Sequence, residues 1–292
     1  MATDFKATAR STSSAIGGNL NPAEFEQFRR FLKDACGISL AENKQYLVTT
    51  RIRRILSDNN IASLGELVTM MGGYRNAALK QQVIDAMTTN ETFWFRDTYP
   101  YDYLKSTLLK EVMAEKGIGP VKIWSAACSS GQEPYSISMT VEEFRRQSMG
   151  NLPRQVDIVA TDLSSAILQQ AKSAEYDKMS VLRGLTPERL DAFFDKLPND
   201  MWRVKPAVKN RVQFRSLNLQ DSFSTLGKFD MIFCRNVLIY FSAELKEDIL
   251  RRMHQILKPG GMLILGSSEG LAGAAELFEM VHCKPGIMYR AK

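Results

Sequence analysis

Apolar residues along this chain recur in two rhythms, and the rhythm changes near residue 121. Between residues 22 and 88 they return every three or four positions, the spacing of one helix face. Phe25, Phe28, Phe31 and Leu32 predict a helix over Pro22–Cys36 that Gly37 stops. A stripe of Val48, Ile52, Ile55 and Leu56 predicts a second over 42–58. Ser63 caps a third ending at Gly72-Gly73, and Asn76–Thr88 forms a fourth. From Val121 onward, short apolar runs alternate with helical stretches. Strands are predicted at 121–125, 156–161, 211–216, 229–234 and 262–266, with helices at 133–147, 164–173 and 242–257. Such alternation implies a parallel sheet with right-handed crossovers. KPGG at 258–261 reads as a turn. The closing FEMVHCKPGIMYRAK reads as two strands around Lys284-Pro285-Gly286, an antiparallel edge.

Residues 175–210 break the alternation. A helix at 186–195 precedes the turn signal Leu197-Pro198-Asn199-Asp200, and short strands are expected within 201–208. The chain therefore divides into a disordered tail (1–20), a helical N-terminal domain (21–88) and a connector with a helix (89–120). A mostly parallel α/β domain follows (121–292), with a small inserted β-subdomain at about 186–210.

Composition narrows the function classes. Hydrophobic residues make up 45% of the 292, enough for a full core, and no run of 18 apolar residues predicts a membrane span. The first twenty residues lack the apolar core of a secretory signal. Cys36, Cys128, Cys234 and Cys283 form no CxxC pair, and only His254 and His282 accompany them, so no metal site is expected. Free thiols in predicted strands point to a reducing cytoplasm. The net charge of +6 suits an acidic protein partner as well as nucleic acid. No aromatic–basic pattern or zinc finger supports nucleic acid.

The candidate chemistry lies in VKIWSAACSSGQEPYSIS, residues 121–138. A strand, a turn of small residues and a helix N-terminus with Pro134 early in the helix make a binding crevice at the carboxyl end of a parallel strand. Gly131 is the turn's only glycine, so the GxGxxG pattern of a dinucleotide site is absent. Adenosine or a zwitterion suits such a turn as well as phosphate does. Asp162 ends the strand 156–161, where an acid accepts hydrogen bonds from ribose hydroxyls. It could instead cap the helix 164–173, but Ser164 and Ser165 can do that equally well.

These segments resemble the chemotaxis receptor glutamate O-methyltransferases, the CheR family, over roughly residues 22–290. The resemblance rests on TTNETFWFR at 88–96, WSAACSSGQEPYS at 124–136, ATD at 160–162, NL at 218–219 and FCRNVLIYF at 233–241. It implies a class I S-adenosylmethionine-dependent methyltransferase fold with a helical N-terminal domain and an inserted β-subdomain. By motif, it implies cofactor contacts at Asn90, Thr92, Arg96, Glu133, Asp162, Asn218, Leu219, Arg235 and Asn236. Arg96 would pair with the methionine carboxylate, Glu133 with the amino group, Asp162 with the ribose, and Asn218-Leu219 with the adenine edge. Arg96, Arg235 and Tyr240 would line the reacting centre, with the arginines orienting the substrate carboxylate rather than neutralising it. Phe93, Trp94 and Phe95 read as packing between domains rather than as a cofactor cage.

The activity implied is methyl transfer to glutamate side chains of chemoreceptors, leaving S-adenosylhomocysteine. The partners would be the cytoplasmic helices of transmembrane receptors, met by a monomer without membrane insertion. Helix 42–58 carries Lys44, Arg51, Arg53 and Arg54 with no acid between them, and Arg53 and Arg54 fall off its apolar stripe. They are the candidate receptor contacts, or else a solvated basic face. Some family members bind a receptor C-terminal pentapeptide through a glycine-rich loop, but FFDKLPNDMWRV here is short and lacks glycine. The alternative function is a non-catalytic, cofactor-sensing adaptor of a receptor array. Amine N-methylation would call for an Asn/Asp-Pro-Pro-Tyr/Phe element where CRNV stands.

Overall fold

The computed structural model describes residues 20–73, 76–114, 119–149 and 155–292. The tail expected over 1–20 lies outside these residues except for Leu20. The chain separates into two compact units, one of residues up to 35 with 39–88, the other of 36–38 with 89–292.

The first unit is helical, at Pro22–Cys36, Gln45–Asp58, Leu64–Met71 and Ala77–Met87. The second helix is preceded by a single 3₁₀ turn at Glu42–Lys44. Phe25, Phe28 and Leu32 are buried, as are Val48, Ile52 and Leu56, so both apolar stripes face inward. Ser63 caps the third helix, its hydroxyl accepting from the Glu66 N–H at 3.1 Å. Glu66 reaches back to the Ala62 N–H at 2.8 Å, a reciprocal arrangement that satisfies two end donors.

The second unit is built on seven strands. They are β1 (Val121–Ala126), β2 (Val156–Asp162), β6 (Val212–Ser216), β7 (Phe229–Cys234), β8 (Leu257–Leu265), β9 (Phe278–Cys283) and β10 (Gly286–Ala291). Their spatial order is β6-β2-β1-β7-β8-β10-β9. The first five run parallel, and β10 pairs antiparallel with both β8 and β9. Side chains alternate between two cores, as the pleat requires. Ile123, Met231, Phe233 and Ile264 join one cluster with Tyr135 and Ile137 of the helix Gln132–Gln147. Trp124, Ile232, Leu263 and Leu265 join the other with Ile249, Leu250 and Met253 of the helix Ala243–Ile256. Helices thus cover both faces of the sheet, and the carboxyl ends of β1, β2 and β7 are left to build a site.

The insertion is a separate antiparallel sheet, β3 (Glu175–Asp177), β4 (Phe194–Leu197) and β5 (Met201–Val204), in the order β3-β5-β4. It begins earlier than 186, because β3 comes from the end of the preceding helix. The β4–β5 turn is Pro198–Met201, with Asn199 and Asp200 at φ 59° and 52°. Those two residue types supply the left-handed backbone that a tight hairpin demands, without glycine. The KPGG segment is not a turn between elements. It is an irregularity inside β8, where β7 advances from Phe229 to Met231 while β8 advances from Leu257 to Met262.

Phe93, Trp94 and Phe95 pack within the second unit. Trp94 is fully buried, its ring edge-on to Tyr176 and Phe194 of the insertion, and its Nε1–H donates to the Ser180 carbonyl at 3.0 Å. Gly184 lies against it at φ +104°, where a Cβ would come within 2.1 Å of the Trp94 carbonyl oxygen. Phe93 lies between the guanidinium groups of Arg96 and Arg183. Among the described residues no helix is long and apolar enough to cross a membrane, and no cluster of His, Cys, Asp and Glu could hold a metal ion.

Candidate active site

The turn after β1 is sharply folded. Ala127, Ser129 and Gly131 all have positive φ, at 54°, 51° and 95°. Gly131 answers to packing, since a Cβ there would lie 3.0 Å from the Tyr176 hydroxyl and 3.1 Å from Ala171. The turn is tied to the end of β2 by the Cys128 N–H on the Thr161 carbonyl at 2.9 Å and the Ser129 N–H on Asp162 Oδ2 at 2.8 Å. The Ser129 hydroxyl donates to the Asn90 carbonyl at 2.9 Å, which draws the connector onto the turn. Thr92 follows on the same stretch, half-buried.

Asp162 is buried and already engaged. Its Oδ1 accepts from the Ser164 N–H at 3.0 Å, opposite the Ser129 bond on Oδ2. Ser164 is the helix cap, its hydroxyl accepting from the Ile167 N–H at 3.3 Å. The acid is therefore a brace between two loops rather than a vacant acceptor. An ionised carboxylate is an acceptor with about four lone-pair positions. The loop after β6 joins the same corner through the Leu217 N–H on the Asp162 carbonyl at 3.0 Å. There Asn218 Oδ1 accepts from the Gln220 N–H at 3.1 Å, and Leu219 is buried with its carbonyl accepting from Arg252 at 2.8 Å.

A second network centres on Arg235, the residue after β7. Its side chain is 1% exposed. It donates to Asp97 Oδ2 at 2.6 Å, the Arg96 carbonyl at 2.9 Å, Glu133 Oε2 at 3.2 Å and the Tyr101 hydroxyl at 3.4 Å. Glu133, in the first turn of its helix, accepts from the Ser125 hydroxyl at 2.8 Å on its other oxygen. Burial pushes the Glu133 carboxyl above its usual range, against the pull of Arg235 and Ser125. The Arg235 guanidinium is engaged by four protein groups and so ties the Arg96–Asp97 segment to Glu133. That segment is strained, with Phe95, Asp97 and Thr98 at φ 50°, 64° and 51°. Arg96 itself is half-exposed, with one nitrogen 3.3 Å from the Glu91 carbonyl and its guanidinium 5.3 Å from the Phe93 ring centre.

Asn236 follows at φ +60°, and Tyr240 ends the 3₁₀ turn Leu238–Tyr240, half-buried against the core of β7 and β8. Ser125, Ser129 and Asp97 were not among the site residues expected from the sequence. Only Asp97 had a signal, as an acid beside Arg96; the others are ordinary polar loop or strand residues. Arg53 and Arg54 belong to the first unit and are exposed there. Arg51 is not part of that face. It donates to the Met87 and Thr88 carbonyls at 2.8 and 3.1 Å, closing the end of the fourth helix. Arg54 pairs with Asp58 at 3.3 Å, so the basic face carries an acid one turn on.

The site fits a small ligand with both charged and hydroxyl groups. It offers the buried Asp162, the half-buried Glu133, a half-exposed arginine, and two buried polar atoms without hydrogen-bond partners among the described residues, Arg235 Nε and Asn236 Oδ1. Comparison with known proteins identifies that ligand. Residues 23–88 match the CheR methyltransferase all-alpha domain, and residues 90–287 match the CheR methyltransferase SAM binding domain, SAM being S-adenosylmethionine. Chemotaxis protein methyltransferase Cher2 of Pseudomonas putida is 54% identical over 94% of this chain and 99% of its own. Chemotaxis protein methyltransferase 1 of Pseudomonas aeruginosa is 56% identical over 92% and 98%. The chemotaxis protein methyltransferase of Salmonella typhimurium is 34% identical over 89% and 88%. With both matches spanning nearly all of the described residues, the chain belongs to the CheR family of S-adenosylmethionine-dependent methyltransferases.

Proposed function

We propose that this protein methylates glutamate side chains on the cytoplasmic helices of chemoreceptors, forming methyl esters, and that it works in the cytoplasm. The reading is carried by the family match together with the placement of Asp162 at the carboxyl end of β2, Glu133 in the first turn of the helix after β1 and Arg96 in the connector tied to Glu133 through Arg235. When bound, S-adenosylmethionine supplies a methyl group on a sulfonium sulfur, which leaves as the neutral thioether of S-adenosylhomocysteine.

The residues of the chain divide the binding work. Asp162, at the end of β2, receives the ribose hydroxyls. Glu133 receives the ammonium of the methionine part, and Arg96 pairs with its carboxylate as a planar fork. Asn90, Thr92, Asn218, Leu219 and Asn236 complete the cradle, and Tyr240 lines the reacting centre. Arg235 holds Glu133 and the Arg96 backbone in register. A glutamate acceptor has an ordinary pKa of about 4.3 and is an anion at neutral pH, so no general base is needed. The protein's contribution is alignment, which in favourable cases lowers a barrier by roughly 7–11 kcal/mol.

Arg53 and Arg54 meet acidic receptor helices in this reading, and no C-terminal pentapeptide tether is used. Support for the latter is the β4–β5 hairpin, whose turn is short and carries Pro198 with no glycine. The test is transfer from methyl-labelled S-adenosylmethionine to membranes bearing a chemoreceptor, full-length or lacking its last residues. Label released as methanol by base, at equal rates from both receptors, is the expected result. Base-stable label would mean another acceptor atom. Cofactor binding without transfer would favour the sensing adaptor.

A further inference from the structure

The loops that follow β7 and β8 leave neighbouring strand ends, and one side chain joins them. Glu269 closes the turn Gly266–Glu269, its own N–H on the Gly266 carbonyl at 2.9 Å. Its carboxylate then folds back across both loops. Oε2 accepts from the Gly266 N–H at 2.9 Å and from the Asn236 N–H at 2.6 Å, and Oε1 accepts from the Ile239 N–H at 3.3 Å. Hydrogen bonds to an ionised acceptor are the strong kind. Asn236 sits at φ +60°, in the left-handed region that asparagine tolerates better than most non-glycine residues. Gly266 makes the close approach possible. A Cβ there would fall 2.7 Å from Glu269 Oε2 and 3.0 Å from the Asn236 nitrogen.

The loop held in this way carries Arg235 and Asn236 at its start and Tyr240 at its end. We propose that Glu269 is the positioning residue of the methyl-transfer site, fixing the backbone of 236–239 so that Asn236 and Tyr240 present their side chains to the reacting centre. The inference rests on reading 235–240 as part of that centre. The hydrogen bonds described for the Glu269 carboxylate all come from backbone N–H groups of the two loops, and, beside burial, its negative charge also bears on Glu133, pushing that carboxyl up.

E269Q keeps the shape but replaces an acceptor oxygen with a donor facing backbone N–H groups. G266A disturbs the same contact from the other side. Amide hydrogen exchange, S-adenosylhomocysteine titration and receptor methylation kinetics are measured on both variants and on E269D. In E269Q, exchange at Gly266, Asn236 and Ile239 should speed up by about tenfold or more while Met231–Cys234 in β7 stay protected. Turnover should fall by about tenfold or more, with KM for receptor changed by less than about threefold. G266A should reproduce both effects, and E269D, which keeps the charge, should recover part of each.

Unchanged exchange at the three amides overturns the proposal, and so does fast exchange with wild-type turnover. Equal loss of protection across β7 would make Glu269 a general stabiliser and also overturn it. If the wild-type protein transfers nothing to receptor, the proposed substrate fails by itself. The exchange arm then decides Glu269, and wild-type exchange at the three amides in E269Q rejects it.

Discussion

Replacing Arg235 by leucine should destabilise the second unit in a pH-dependent way. The substitution removes the cation hydrogen-bonded to Glu133, whose side chain is 12% exposed, and a partner of Asp97, whose side chain is 29% exposed. Asp97 can return to solvent. Glu133 cannot, and one-sided removal of a buried pair costs about 3–5 kcal/mol. The folded-state Glu133 carboxyl already lies above its ordinary value because of burial. Without Arg235 it rises further. A raised carboxyl favours the folded state while protonated, and that advantage is lost as pH rises through the folded value. The leucine variant should therefore lose most at about pH 8 and less at about pH 5, where its Glu133 can stay protonated. Each further unit of upward shift separates the two conditions by about 1.4 kcal/mol. Urea unfolding of both proteins at both pH values reads this directly. Adding Glu133→Gln to the variant should flatten the dependence. An equal loss at both pH values, or a loss below about 1 kcal/mol, would refute the argument that Arg235 is what keeps a buried carboxylate charged.

Asp162→Asn should weaken S-adenosylhomocysteine binding by about 1–3 kcal/mol in calorimetric titration, the scale of an unpaired polar group; unchanged affinity would move the ribose elsewhere. Tyr240→Phe should lower receptor turnover while leaving thermal melting in place, and full turnover would make the hydroxyl structural only. Arg53→Glu with Arg54→Glu should slow receptor methylation without altering S-adenosylhomocysteine affinity, and the wild-type rate should fall with salt beyond a screening length of about 8–10 Å; equal rates at low salt would leave these residues a solvated face. Gly184→Ala should destabilise by about 2–4 kcal/mol, combining left-handed strain with overpacking against the Trp94 carbonyl, and a neutral effect in chemical unfolding would contradict that contact.

The elements with a strong apolar signal were legible. Val121, Ile123 and Trp124, and Phe229 with Met231–Cys234, are dense apolar runs each interrupted by one charged residue, and they became the central strands. The helical leader followed its stripes because each helix needs only its own three-to-four spacing. Glu175–Asp177 carries no such run, and it is a strand only because Met201–Val204 pairs with it. The proline and glycines of KPGG marked irregular backbone correctly, but a widened register inside β8 looks the same in sequence as a turn. For the site, motif resemblance proposed ligand-side residues from local sequence. It could not see what those residues already hold. Asp162 braces two loops, Arg235 is consumed by partners as distant in sequence as Asp97 and Tyr101, and Glu269 works through backbone donors 30 and more residues away. Pairings of that kind are set by which strand ends are neighbours, which no local pattern encodes.

The central claim is that the crevice at the carboxyl ends of β1, β2 and β7 holds S-adenosylmethionine with Asp162 on the ribose and Glu133 on the methionine end. A crystal structure with S-adenosylhomocysteine bound tests it most directly. The account predicts ribose hydroxyls within hydrogen-bond distance of Asp162, the amino group at Glu133, the carboxylate at Arg96 and the adenine edge beside Asn218-Leu219. A product molecule seated with its ribose away from Asp162, or with its amino-acid end turned from Glu133 and Arg96, would contradict it.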